Sequence, residues 1–255
     1  MKLTVLGCSG GIGVAHQHTT SLLLDDDILI DAGTGVAGLD LAQLARIDQV
    51  FLTHSHLDHI AYLPLMVDAI GDLRERPVTV YATVETEEIL RAHIFNWKIW
   101  PDFSEIPSRE KPYLRFETIR VGQAIALGGR AITALPANHT VPAVGYQIDS
   151  GSASLAFSGD TGSCDALWNA LNLIDNLRYL IIETAFSNAE RDLAILSGHL
   201  CPTLLYTELR QLRHAPEVFI THLKPSHARL IMDEINGNAG TIGPSMLQTN
   251  QVFEF

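Results

Sequence analysis

The heptapeptide Thr53-His54-Ser55-His56-Leu57-Asp58-His59 carries three imidazoles and a carboxylate within six consecutive positions. It follows directly on Val50-Phe51-Leu52, an apolar run that reads as a buried strand, so these groups sit where a strand gives way to a loop. In extended backbone alternate side chains share a face, so His54 and His56 can bind one ion together. Asp58 and His59 follow as the loop turns toward a helix; they point elsewhere and suit a second ion. A lone histidine in a polar turn would mean little, but three with an aspartate at this spacing point to metal chemistry.

The same strand-end placement recurs along the chain. Residues 2–7 alternate as a strand and end in a glycine-rich turn, Gly7 to Gly13, that lacks G-x-G-x-x-G spacing. Two further strands follow, Thr19 to Leu24 and Ile28 to Asp31, which argues against a dinucleotide-binding unit. Asp25-Asp26-Asp27 between them reads as a solvated hairpin turn, and Asp31-Ala32-Gly33-Thr34-Gly35 as a tight turn beneath the site. A helix is expected over about 37–46, a strand over 48–52, and a helix from about 59 to 70 with Leu63, Met66 and Ile70 on one face. Asp58 stands near the start of that helix, where a carboxylate suits the macrodipole.

Strand 78–82 and helix 85–95 lead to an aromatic stretch, Phe95 to Phe103, which reads either as packing under a long loop or as a wall for a planar base. Strands near 113–121, 131–136 and 144–149 follow; Pro136-Ala137-Asn138-His139 ends the second of them. The run Leu155-Ala156-Phe157 ends at Ser158-Gly159-Asp160, strand 178–182 at Glu183-Thr184, and strand 217–221 at Thr221-His222. Ser197-Gly198-His199 is expected to open a helix reaching about 213, and residues 249–254 to close an edge.

The strand-end polar groups form one candidate set: His54, His56, Asp58, His59, His139, Asp160 and His222. Imidazole and carboxylate donors without thiolate suit Zn²⁺, Mn²⁺ or Fe²⁺. Seven donors exceed one tetrahedral site and suit two ions sharing a bridging carboxylate, an arrangement that supports hydrolysis. Two ββ…βα halves, with no linker or low-complexity segment between them, predict a single α/β domain over residues 1–255. Its expected form is a four-layered αβ/βα sandwich of two mixed sheets flanked by helices.

Composition bounds the partners. With 29 acidic and 17 basic residues the formal net charge is −12, which disfavours binding of nucleic acid along the surface. Cys8, Cys164 and Cys201 are widely spaced and form no C-x-x-C pair, as expected of reduced thiols in a cytoplasmic protein. No run approaches the roughly 18 apolar residues of a membrane helix, and the N-terminal apolar stretch is too short for a signal peptide.

His54-Ser55-His56-Leu57-Asp58-His59 resembles the H-x-H-x-D-H signature of the metallo-β-lactamase superfamily, and the resemblance extends over essentially the whole chain. It implies that His54, His56 and His139 hold one ion, Asp58, His59 and His222 the other, with Asp160 bridging. The Asp160 position carries no cysteine, unlike several true β-lactamases, so antibiotic hydrolysis is disfavoured. Glu183 and His199 resemble the acid and extra histidine of the phosphodiesterase branch, where the pair protonates the leaving oxygen; with Asp58 they are the catalytic candidates.

Within that branch, ribonuclease Z carries a basic arm between the third-motif histidine and the bridging aspartate, whereas here His139 and Asp160 lie only 21 positions apart. The class II cyclic nucleotide phosphodiesterases fit better. Leu6 to Gly11, Asp31 to Gly35, His93 to Asn96 and Ile99 to Phe103 all resemble theirs, although this chain is shorter than the eukaryotic members. The resemblance implies hydrolysis of a small 3′,5′-cyclic phosphodiester. Thr53 and Thr221 are expected in support; Lys224 reads first as a surface salt bridge, with steadying of the phosphate as the alternative, and His16 and His18 read first as solvent-exposed loop residues, with the pocket rim as the alternative. Relatives are often dimers, so a homodimer is a further expectation. Ribonuclease Z-like cleavage, another small cyclic phosphate and glyoxalase II-like thioester hydrolysis are the rival activities; a degenerate binding module would have lost ligands, and none is missing here.

Overall fold

A computed structural model describes residues 1–13, 17–238 and 243–255. The first half of the chain forms β1 (Lys2–Gly7), β2 (Ser21–Leu24), β3 (Ile28–Ile30), β4 (Gln49–Phe51) and β5 (Val78–Ala82), then a two-stranded ribbon of β6 (Pro107–Ser108) and β7 (Lys111–Pro112), then β8 (Leu114–Thr118). The second half forms β9 (Ala124–Leu127), β10 (Arg130–Pro136), β11 (Val144–Asp149), β12 (Ser154–Phe157), β13 (Leu177–Glu183), β14 (Glu217–Thr221), β15 (Ser245–Met246) and β16 (Val252–Glu254). Among the described residues these build two seven-stranded sheets, ordered β16-β1-β2-β3-β4-β5-β8 and β15-β14-β13-β12-β11-β10-β9. Each sheet has three antiparallel pairings on one side and three parallel ones on the other.

Four layers follow from which faces are apolar. Leu3, Val5, Leu24, Ile30 and Phe51 of the first sheet meet Ile132, Tyr146, Ile148, Phe157 and Ile181 of the second, forming the inner core. The opposite face of the first sheet, with Leu29, Val50 and Val80, is covered by α2 (Leu57–Ile60), α3 (Leu63–Ile70) and α4 (Val84–His93), which follow the small α1 (Leu41–Leu44). The second sheet is covered by α5 (Asp165–Leu171), α7 (Pro202–Leu209) and α8 (Ala228–Asn236), with α6 (Arg191–Leu196) ahead of α7. β2 and β3 are buried at every position, as strands covered on both faces should be. The expected sandwich of two mixed sheets between helices is the observed fold.

Several local expectations need correction. The helix over 59–70 is two helices, because Pro64 has no amide for the Ile60 carbonyl, while Ala32 takes the His59 carbonyl and the Tyr62 amide (2.6 and 2.8 Å). The stretch 37–46 is a 3₁₀ turn, Thr34–Gly38, and the short α1 capped by Asp40. His199 belongs to no helix; α7 begins at Pro202 and ends at Leu209. The aspartate turn is not merely solvated, since Arg130 on β10 bonds Asp25 (3.1 Å) and Asp27 (2.7 Å), tying the two sheets together.

Most of the aromatic stretch packs rather than lining the site, although Trp97 is exposed. Phe95 and Phe103 are buried in the outer core, and the Phe103 carbonyl accepts from Tyr113 and Leu114 at the start of β8. That is the opposite sheet edge from the strand ends that deliver His54, because β4, β5 and β8 run parallel.

One inter-sheet contact bears directly on the site. Tyr146, fully buried on β11, stacks edge-on against Phe51 and donates from its hydroxyl to the Leu52 carbonyl at 2.7 Å. It holds the residue before Thr53 in place. Tyr146→Phe strands that carbonyl in the core, so we expect a loss of about 1–2 kcal/mol in a urea unfolding midpoint measurement, with the folded circular dichroism spectrum unchanged.

Candidate metal centre

The carboxyl ends of parallel strands gather the polar groups at one edge of both sheets, where ligands bind in open α/β sheets generally. β4 leads into His54, His56 and the α2 residues Asp58 and His59. From the second sheet, β10 leads to His139, β12 to Asp160, β13 ends in Glu183 and β14 leads to His222. His199 arrives on the turn after α6.

All seven sequence-predicted donors come together. His54, His56, His139 and Asp160 have ligand atoms within 4.8 Å of one another, as do Asp58, His59 and His222. Asp160 Oδ2 lies 3.7 Å from His54 Nε2, 3.3 Å from His59 Nε2 and 3.2 Å from His222 Nε2, so it stands between the two groups. His56 Nδ1 and His139 Nε2 face each other at 3.1 Å, and Asp58 Oδ2 lies 3.2 Å from His222 Nε2.

Three of the five donor imidazoles are oriented by what the far nitrogen holds. His59 Nδ1 bonds Asp31 Oδ2 at 2.7 Å, His139 Nδ1 bonds the Gly198 carbonyl at 2.9 Å, and His54 Nδ1 bonds Thr53 Oγ1 at 3.0 Å. The Thr53 hydroxyl donates onward to Asp31 (2.8 Å), so it must accept from His54. With the far nitrogens protonated, lone pairs point inward; the Nε2 atoms of His54 and His59 are buried without a hydrogen-bond partner. Buried acceptors facing a carboxylate need a cation between them, so these residues fit the implied metal.

Electrostatics agree for the first group. Burial pushes His54 well below the ordinary imidazole range, and burial also lowers His56 and His139, keeping them in the neutral, ligating form. In the second group burial would lower His59, but Asp160 and Asp31 on either side raise it well above that range. A divalent ion at the donors would take over the positive charge that imidazolium otherwise supplies. Burial would raise Asp160, but His222 and His59 hold it well below the usual carboxylate range.

Beside the donors, His199 Nδ1 bonds Glu183 Oε1 at 2.7 Å. Fully buried Glu183 also accepts from the amides of Thr161 (3.0 Å), Ala185 (3.1 Å) and Leu200 (3.4 Å). Burial opposes charge on His199, but Glu183, with help from Asp160, raises it above its ordinary value. Its ring lies 4.9 Å from that of His139 and 5.2 Å from that of His222.

Two backbone features secure the second half of the site. His222 adopts a left-handed φ of 60°, its amide bonded to the Cys8 carbonyl at 2.8 Å. A Cβ on Gly10 would come within 2.2 Å of the His222 carbonyl oxygen, so the glycine-rich turn serves as backbone packing against this ligand strand. Lys224 donates to the Gly10 carbonyl at 2.7 Å. Thr221 Oγ1 donates to the Cys8 carbonyl (3.1 Å), whereas His16 lies outside the described residues and the His18 carbonyl accepts from Cys8 and Ser9.

Sequence reasoning missed Asp31. It was read as part of a turn, yet it is a fully buried carboxylate at the end of the apolar strand β3, the same signal that marked His54 and Asp160. Burial raises its pKa, opposed by His59 and Thr53. Asp31→Ala frees His59 and Thr53 together; we expect metal affinity to fall about 10- to 100-fold in a chelator competition titration, with the protein still folded.

Residues 26–233 match the Beta-lactamase superfamily domain. A probable 3′,5′-cyclic-nucleotide phosphodiesterase of Yersinia pestis is 28% identical over 88% of this chain and 78% of its own length. A 3′,5′-cyclic-nucleotide phosphodiesterase of Aliivibrio fischeri is 26% identical over 80% of this chain and 73% of its own. Ribonuclease Z of Treponema pallidum is 25% identical, but over 67% of this chain and only 56% of its own length. Among solved structures, unliganded yeast PDE1 superposes with a TM-score of 0.83 at 18% identity, covering 100% of this chain and 99% of that one. The metallo-β-lactamase fold protein YhfI of Bacillus subtilis gives 0.78 at 21% identity, covering 100% and 98%. The chain belongs to the β-lactamase superfamily, with the metallo-β-lactamase fold.

Proposed function

We propose that this chain is a dinuclear metal-dependent phosphodiesterase that hydrolyses a 3′,5′-cyclic nucleotide to its 5′-monophosphate. The observation that carries the reading is the Glu183–His199 pair set against the donor cluster, a proton donor placed where a phosphodiester held at the cluster would lose its alcohol. The similarity to proteins named as cyclic-nucleotide phosphodiesterases, over most of both chains, supports it.

His54, His56 and His139 with Asp160 would hold one divalent ion, and Asp58, His59 and His222 with Asp160 the other, Zn²⁺ first and Mn²⁺ or Fe²⁺ as alternatives. Such a pair supplies a nucleophile from water near neutral pH and withdraws charge from phosphoryl oxygens. The chain's own groups do the rest. Glu183 fixes the Nδ1 proton of His199, so the transferable proton is on Nε2, and it goes to the departing 3′ oxygen. Three backbone amides keep the Glu183 carboxylate from swinging away. Asp58, whose side chain is 30% exposed, would orient the entering water.

A small substrate is favoured over a polynucleotide. Between His139 and Asp160 the chain forms only the β11–β12 hairpin, turning at Ser150, Gly151 and Ser152, so no arm is inserted there. The formal charge of −12 points the same way.

Cyclic AMP should be hydrolysed by the metal-loaded enzyme and not by His56→Ala or after exhaustive chelation; full activity after chelation would sink the reading, and a panel including precursor tRNA separates it from ribonuclease Z-like cleavage. His199→Ala should lower kcat for cyclic AMP about 10²- to 10⁴-fold. With bis(p-nitrophenyl) phosphate, whose phenolate leaves unprotonated, the loss should be far smaller. Equal losses on both substrates would remove His199 from the acid role.

A further inference from the structure

We infer that Phe186 is the platform for the nucleobase, so that this site selects phosphodiesters whose leaving alcohol carries a planar aromatic base. This rests on the function proposed above and assigns the part of the substrate beyond the phosphate. Of the nine phenylalanines in the chain, eight join one of the three apolar clusters of the fold; Phe186 joins none. An aromatic ring with no core to fill has another use.

Its position supplies one. Phe186 follows Glu183-Thr184-Ala185 directly, and its ring stands edge-on to His199, with centroids 5.6 Å apart and planes at 61°. His199 donates to the leaving oxygen, and that oxygen is bonded to the ribose, so the next surface outward from His199 is the one that meets the nucleoside. Phe186 is that surface. The ring is half-buried and held from behind: its amide bonds the Leu200 carbonyl at 3.3 Å, and the Lys224 ammonium lies 5.8 Å from its centroid. Lys224 is in turn anchored to the Gly10 carbonyl, so the platform cannot drift from the donor cluster.

The surroundings match a ligand charged at one end and apolar at the other. Leu57, between the donor residues His56 and Asp58, is 66% exposed, and Leu196, two residues before the Gly198 that holds His139, is 78% exposed. Exposed apolar side chains close in sequence to the site residues are available to the apolar end of a small ligand.

The test compares substrates with and without a base. Turnover of 3′,5′-cyclic AMP is measured beside ribose 3,5-cyclic phosphate, and binding of 5′-AMP beside ribose 5-phosphate by calorimetry on metal-loaded protein. The unaltered enzyme should prefer the base-bearing member of each pair, and Phe186→Ala should reduce that preference about tenfold, the worth of one base–aromatic stack. Phe186→Leu, which keeps apolar bulk, should lose it as well, whereas Phe186→Trp should retain it. If Phe186→Ala and Phe186→Leu weaken both members of each pair equally, the ring is a support for His199 and the inference falls. If the unaltered enzyme turns over no cyclic AMP, the proposed function itself falls, a result separable from the first because it needs no variant.

Discussion

The Asp31 carboxylate has no access to water, and the geometry of the metal centre depends on how that charge is satisfied. An ionised carboxylate in an apolar interior is costly unless every lone pair is engaged. Asp31 accepts from the Thr53 amide, the Thr53 hydroxyl and His59 Nδ1, all within 2.8 Å. The parallel pairing of β3 with β4 brings these groups into range, Ile30 standing opposite Phe51. The left-handed φ of 57° at Asp31 then turns the chain under the site. One buried charge therefore couples two strand ends to two imidazoles, and slippage of either strand would leave it unpaired.

The second sheet solves the same problem with backbone. Its site residues rest on backbone groups: the Gly198 carbonyl for His139, Cys8 and Gly10 for His222, and three amides for Glu183. A side chain at Gly10 or Gly198 would meet backbone or ring atoms of a donor residue, so local bulk is excluded where the two sheets exchange contacts. Tyr146 and Arg130 tie the sheets together elsewhere, one through the Leu52 carbonyl and one through the aspartate turn. Precision at the site thus comes from pairing across the whole sandwich.

Much of this was legible in the amino-acid sequence because apolar runs ending in His, Asp or Glu are both a strand signal and a ligand signal. That is why β4, β12, β13 and β14 and their terminal groups were readable. Asp31 escaped because the glycines after it pointed to a turn, and a turn explains a carboxylate without burial. The break at Tyr62 was signalled by Pro64, but its partner, Ala32, lies far back in the chain, and pairing of that kind leaves no local pattern. His199 was assigned to a helix that begins only at Pro202; its contact with Glu183 spans 16 positions and two elements. The strand β9 is a run of only four residues and did not stand out, whereas the helix α8 was missed although its apolar face, with Ile231 and Ile235 buried, is well marked.

The donors are drawn from both sheets, with His54 to His59 from the first and His139, Asp160 and His222 from the second. An unfolded chain keeps only the short H-x-H-x-D-H segment together, so its hold on a cation is weak and local. Anything that binds the folded form alone shifts the folding equilibrium by mass action. Occupancy of the centre and cohesion of the two sheets are therefore linked: a metal ion held by donors from both sheets would stabilise the folded sandwich, the more so the higher its free concentration.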